Sequence, residues 1–363
     1  MKIAVAITSA ASAVLLAVTG HAAPTRLEGV PRYEHIFVIV DENKDYGRIL
    51  GGADAPNISR LAKTYGNAGK FFGETHPSEA NYIALLGGDT LGIHDDDPFF
   101  CKPGSTDRQC VEANSQPGYP DHTSRLPHIG DQLATAGLTW KAYLEDLPAP
   151  GSLAYIANAE TFSDGTRKTA LYASKHVGFV NFASTQIAAD RAKHLVGFNQ
   201  LDRDAASGKL PNFALIVPNQ CNDMHGLHAQ GVPADCDSLS LAALIRRGDA
   251  EIGRRVRQIQ ATTEWRSAQN VAIIITFDEG PASALEGCCA AAHGGGHIPT
   301  VVITNHGVRG VKDDTPYNHY SLLRTIEDAF GIDRHLGHAA DTGNGVVPMV
   351  QLFDTSVPTP KAR

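Results

Sequence analysis

The sequence predicts an α/β fold, with a mostly parallel central sheet and helices on both faces, and three observations carry the prediction. Five apolar runs, at residues 35–40, 139–144, 212–217, 271–277 and 300–304, are rich in Val and Ile and barely alternate with polar residues. That is the pattern of strands covered on both faces. Helical patterns lie between them at 58–65, 81–86, 129–136, 239–262 and 321–330, and such alternation joins parallel strands through crossover helices. Three of the runs lead directly into acidic or amide residues, which in an open parallel sheet gather at the carboxyl edge, where ligands bind.

Taken from the N-terminus, Met1-Lys2, an apolar stretch over about residues 3–18 and the small-residue exit Thr19-Gly20-His21-Ala22-Ala23 read as a signal peptide spanning 1–23. The stretch is short for a spanning helix and rich in Ala, Ser and Thr, and no later segment is long and apolar enough to cross a membrane. The expectation is a secreted or periplasmic protein without stable membrane insertion. Residues 24–363 then suit a single domain, with the proline-containing tail after Val347 lying on the surface. A formal charge of -8 argues against nucleic acid as a partner, because phosphate backbones need basic faces. The six cysteines fall in local pairs, and in an exported chain these suggest disulfides 101–110 and 221–236. Adjacent Cys288 and Cys289 either bridge each other or reach other groups. No CxxC spacing supports a cysteine zinc site.

The first strand runs into Asp41-Glu42-Asn43, and the fourth into Asp278-Glu279-Gly280. Like charges gathered at one edge repel and are costly to desolvate, and only Lys44 flanks them closely. A divalent cation answers that repulsion, and Asp, Glu and Asn oxygens are hard ligands suited to magnesium, calcium or manganese. The plainer alternative is that these acids cap helices or face solvent. Ser78 follows Pro77 and precedes an apolar helical pattern, which places it at a helix N-terminus, where free N–H groups attract an anion. Serine there is commonly a cap, but beside a cation it is also a candidate nucleophile. Asn81 lies one turn further on, placed to donate to a phosphate oxygen. A third group comprises Asn222-Asp223-Met224-His225 after the third strand, His297 before the fifth, and His319 at a helix start. Imidazole there suits a metal or a phosphate, though any one of them also suits an exposed surface.

Five stretches, in order, carry a resemblance. They are residues 35–43, 76–82 (His76-Pro77-Ser78-Glu79-Ala80-Asn81-Tyr82), 217–225, 275–280 and 297–302, with weaker agreement at 140–148 and Lys175-His176. The chain resembles the phosphoesterase family of bacterial acid phosphatases and phospholipases C, within the alkaline-phosphatase-like superfamily. The resemblance implies that Glu42 and Asn43 hold a metal with Asp278 and Glu279 on its far side. Ser78 would be both nucleophile and ligand, and Asn81, Asp223, His225 and His297 would surround the phosphate or a second ion. His225 or His297 would protonate the leaving group. One departure is Ala80, where the family often has proline. The implied activity is a secreted acid phosphatase acting on monoesters through a phosphoseryl intermediate. The implied substrate is a phosphorylated small molecule or phospholipid headgroup. The alternatives are a phospholipase C-type phosphodiesterase and, in another class, a non-catalytic cation-binding protein.

Overall fold

The structure is a computed structural model that describes residues 26–96, 121–157, 171–228 and 232–355. The expected signal peptide and the cysteines at 101 and 110 lie outside the described residues. The main sheet has eight strands. In chain order these are β1 (His35–Asp41), β2 (Gly66–Phe72), β3 (Trp140–Leu144), β4 (Leu195–Gly197), β5 (Phe213–Val217), β6 (Val271–Phe277), β7 (His297–Thr304) and β8 (Val311–Asn318). Across the sheet they run β8-β2-β7-β6-β1-β5-β3-β4. All neighbours are parallel except β7, which is antiparallel to both β6 and β2.

Every residue of β1, β5 and β6 is buried, as continuous apolar runs require when both sheet faces are covered. Three strands had no apolar signature. β2 reads Gly-Asn-Ala-Gly-Lys-Phe-Phe although it is paired on both sides, and β8 carries Lys312, two aspartates and Pro316, a composition suited to the sheet edge it occupies. β4 is three residues long.

Helices flank the sheet in two groups. The first comprises α1 (Tyr46–Leu50), α2 (Pro56–Thr64) and the twenty-residue α6 (Leu241–Gln260), which packs on α2. The second comprises α3 (Ser78–Gly87), α4 (Ile129–Thr135) and α7 (His319–Ala329), with α3 against both others. A further helix, α5 (Phe198–Ser207), covers β3 and β4. The helix α3 carries little amphipathic contrast, because residues 78–86 are buried all round.

The expected surface tail needs correction. Met349, Leu352 and Phe353 are fully buried, and Tyr33 donates its hydroxyl to the Phe353 carbonyl at 2.7 Å. Apolar side chains in the tail close the core beside β2, so the chain is anchored at least through Phe353. Two disulfides are present among the described residues, Cys221–Cys236 and the vicinal Cys288–Cys289.

Candidate active site

The parallel strands β1, β5 and β6 end at one edge, in register: Phe277 pairs with Asp41, and Ile39 with Ile216. The chain leaving β2 reaches the same edge, because Phe72 pairs with His297 at the start of β7. Backbone bonds lock the crossings. Asp278 N donates to the Asp41 carbonyl at 3.0 Å, and Glu42 N to the Asp223 carbonyl at 2.8 Å. The loop at 280–296 lies directly on the segment that leads to Ser78, with Gly295 N on the Gly73 carbonyl at 2.9 Å.

Ser78 is the first residue of α3 and is 2% exposed. Its Oγ donates to Glu42 Oε2 at 3.1 Å. Tyr82, one turn along the same helix, donates its hydroxyl to Glu42 Oε1 at 2.5 Å. Asn43 adopts the left-handed conformation (φ 56), which Asn tolerates better than most residues. The turn directs its N–H to Asp278 Oδ1 at 3.0 Å and its amide to Glu42 Oε2 at 3.0 Å. Glu42, Asn43, Ser78 and Asp278 are therefore joined by direct hydrogen bonds. Glu279 Oε2 faces His76 Nδ1 at 2.7 Å and Asn81 at 3.4 Å.

The histidines divide. His176 lies between two acids, with Nε2 3.4 Å from Glu42 Oε1 and Nδ1 3.4 Å from Asp223 Oδ2, and its ring stacks on Tyr82. His225 lies beside it, with ring centroids 5.4 Å apart. Its Nδ1 faces the Gly226 carbonyl at 2.7 Å, so Nδ1 carries the proton and the Nε2 lone pair is free to act as a ligand. The donor atoms of Glu42, His176 and His225 all lie within 4.8 Å of one another, close enough to share one ion. His297 sits at the same edge but donates Nε2–H to the Gly69 carbonyl at 3.0 Å and stacks on Tyr46. Asn81 accepts from the N–H groups of Glu74 and Thr75 and donates to the Thr75 carbonyl, so its amide braces the loop before Ser78. At the helix start the Glu79 N–H is taken by Asp96, which also pairs with Lys175 at 2.8 Å.

The sequence placed Tyr82 and His176 in the stretches of resemblance but gave neither a role. Tyr82 carried a signal, since it lies four residues beyond Ser78 on one helix face. His176 sits in a short 3-10 turn that no periodicity marks.

The electrostatics call for a cation. Asp41, Glu42, Asp223 and Asp278 are 1% exposed or less. Burial first, then mutual repulsion, pushes Asp41, Glu42 and Asp223 far up; burial also raises Asp278. Burial raises Glu279 to about 7 against the pull of His76. Lys44 is nearby, but its ammonium donates to the carbonyls of Met224, Glu42 and Asn43 beneath the cluster. Asp223 Oδ2, Asp278 Oδ2, His176 Nε2 and both Asp41 oxygens are buried without a hydrogen-bond partner. Orphaned oxygens and an imidazole nitrogen around shared acids fit a divalent cation, with oxygen ligands on the Asp278 side and nitrogen ligands on the His176 side.

Comparison with known proteins decides the family: the model described as "Phosphoesterase family" matches residues 52–333. The chain belongs to the phosphoesterase family. It is thereby a hydrolase of phosphate esters. The phosphoesterase is 28% identical over 305 residues to "Phosphatidylinositol-3-phosphatase" of Mycobacterium tuberculosis, covering 84% of this chain and 79% of the relative. It is 28% identical to "Probable acid phosphatase" of Kluyveromyces lactis, covering 85% of this chain, and 27% identical to "Acid phosphatase" of Aspergillus fumigatus, covering 85%. It spans only 61% and 57% of those two fungal relatives. Among solved structures, an alkaline phosphatase superfamily protein from Vibrio parahaemolyticus superposes with a TM-score of 0.50 at 15% identity, covering 86% of this chain and 72% of that one. The expected fold class is met. No helix among the described residues is long and apolar enough to cross a membrane.

Proposed function

We infer that the phosphoesterase is an acid phosphatase that hydrolyses phosphate monoesters through Ser78. The observation that carries this reading is the hydrogen bond from Ser78 Oγ to Glu42, inside a ring of buried acids at the start of α3. The plain helix-cap role for Ser78 gains no support, since no side chain caps α3 and the Ser78 hydroxyl points to a carboxylate. A divalent cation held by Glu42, Asn43, Asp278 and Ser78 would neutralise phosphoryl charge and lower the pKa of the Ser78 hydroxyl.

The chain's own residues supply the rest. Glu42 accepts the Ser78 proton and orients Oγ, while Tyr82 and Asn43 fix the Glu42 carboxylate. Ser78 Oγ bonds to phosphorus as the ester oxygen leaves with the bonding pair and takes up a proton. Water then attacks phosphorus, the Ser78–phosphorus bond breaks, and the hydroxyl regains its proton. His225, which burial holds at about 4, is a neutral imidazole suited to a ligand role with Glu42 and His176 around a second ion, with Asp223 beside His176. That assigns it away from leaving-group protonation. His297 and Asn81, engaged by backbone groups, serve the site by bracing it.

The names of the relatives support a phosphorylated small molecule or a phosphoinositide headgroup as substrate. The first 23 residues support export, which N-terminal sequencing of the secreted protein would check. The deciding experiment measures p-nitrophenyl phosphate and p-nitrophenyl phosphorylcholine hydrolysis, with magnesium, calcium and manganese add-back, on wild type and Ser78→Ala. Turnover of the monoester that needs Ser78 and a cation is expected. Preference for the diester would establish the phospholipase C-type reading, and cation binding without turnover the binding-protein reading.

A further inference from the structure

His319 opens α7 and has no part in the reaction above, yet it is 1% exposed and fully engaged. Its backbone N–H donates to Glu74 Oε1 at 2.8 Å, and its Nδ1 faces Glu74 Oε2 at 2.5 Å. Its Nε2 faces the Phe277 carbonyl at 2.9 Å. A carbonyl only accepts, so Nε2 carries a hydrogen. The Nδ1–Glu74 contact also needs a proton between its two atoms. Burial opposes the imidazolium, but Glu74 draws the ring's pKa up. The ring is thus held at both ends, and Phe71 packs edge-on against it.

The two segments it ties to α7 are the ones that lead to the reacting groups. Phe277 is the residue before Asp278, and Glu74 lies four residues before Ser78 in the irregular segment between β2 and α3. That segment has no strand or helix ladder of its own; Asn81 and the Glu74–His319 contact hold its start. The end of β8 is fixed in turn, since Asn318 caps α7 and donates to the Cys289 carbonyl at 2.9 Å.

We propose that His319 is a positioning residue for phosphoryl transfer: clamped between Glu74 and the Phe277 carbonyl, it sets the separation of the Ser78 hydroxyl from Asp278. The claim rests on the Ser78 reading above. A displacement of about 1 Å at reacting groups lowers turnover by up to about a hundredfold, so a buried clamp here is felt in kcat.

The test uses the full-length protein with p-nitrophenyl phosphate and manganese add-back. His319→Leu and Glu74→Ala are expected to lower kcat by roughly tenfold or more, with KM nearly unchanged and a higher manganese midpoint. Glu74→Gln keeps an acceptor for the His319 N–H and a donor for Nδ1, so it is expected to restore most of what Glu74→Ala loses. Circular dichroism and melting establish that each variant is folded. If His319→Leu does not fold, His319→Gln carries the test, because its amide reaches only one of the two acceptors and an intermediate kcat is expected. A folded His319 variant with wild-type kcat and manganese midpoint overturns the proposal, as does a Glu74→Gln variant as impaired as Glu74→Ala. An inactive wild type, or an active Ser78→Ala, instead overturns the Ser78 reading.

Discussion

At the scale of single residues, the candidate site works by leaving some groups incomplete. Most buried polar atoms have partners, yet Asp223 Oδ2, Asp278 Oδ2 and His176 Nε2 have none and all face the same acid cluster. On the proposed reading, turnover depends on Ser78. Ser78→Ala is expected to lower kcat by about a thousandfold or more while manganese binding survives, because Glu42, Asn43 and Asp278 remain; isothermal titration and turnover assays separate the two. Buried histidines bear on acid stability, and His128 is one that lies away from the acid cluster. Burial holds His128 at about 4, so between there and its ordinary value the unfolded chain takes up a proton that the native state refuses. Stability from this group is complete above about pH 6.5 and is lost as pH falls toward 4, by roughly 3 kcal/mol. His128→Asn keeps an acceptor for the Gly130 N–H and is expected to flatten the fall in melting temperature between pH 7 and 5. An unchanged slope would remove His128 from the account.

At the scale of elements, the site depends on loops that cross at backbone distance. A Cβ on Gly295 would meet the Gly73 carbonyl carbon and the Thr75 oxygen at 2.7 Å, both backbone atoms that cannot swing aside. Gly295→Ala is therefore expected to push the segment leading to Ser78 away from Asp278. The cost would be about 1–3 kcal/mol of stability, with lower kcat as well. Denaturant unfolding and p-nitrophenyl phosphate turnover measure the two, and a variant matching wild type in both would mean that the crossing is slack. The same scale explains where strand prediction failed. β1 and β6 were legible because both faces are covered and their residues are uniformly apolar. β2 and β8 were not, because Gly, Asn, Lys and Asp in those strands answer to neighbours far along the chain.

For the whole molecule, the sheet places several carboxylates at one edge, and on the proposed reading a cation offsets their charge. In the chelated protein the buried acids of the cluster hold protons that the unfolded chain has released above about pH 4, so stability falls as pH rises. A divalent cation competes with those protons. The gain in melting temperature on adding manganese to chelated protein is expected to be larger at pH 7 than at pH 5. Equal gains at both values would contradict a cation shared by Glu42 and Asp278.

Which residue types stand at the strand ends and at the helix start was legible in the sequence alone. Apolar runs ending in Asp41-Glu42-Asn43 and Asp278-Glu279, and a serine at a helix start, indicated a parallel sheet with hard ligands and a nucleophile at its carboxyl edge. Such features are local, because burial sets composition and backbone geometry sets helix starts. Which side chains meet was decided by tertiary structure. His176 joined Glu42 and Asp223, His297 turned to Gly69 and Tyr46, and His319 closed on Glu74. Those outcomes follow from strand order and from a strand antiparallel to both its neighbours, set by packing between segments that are distant in sequence.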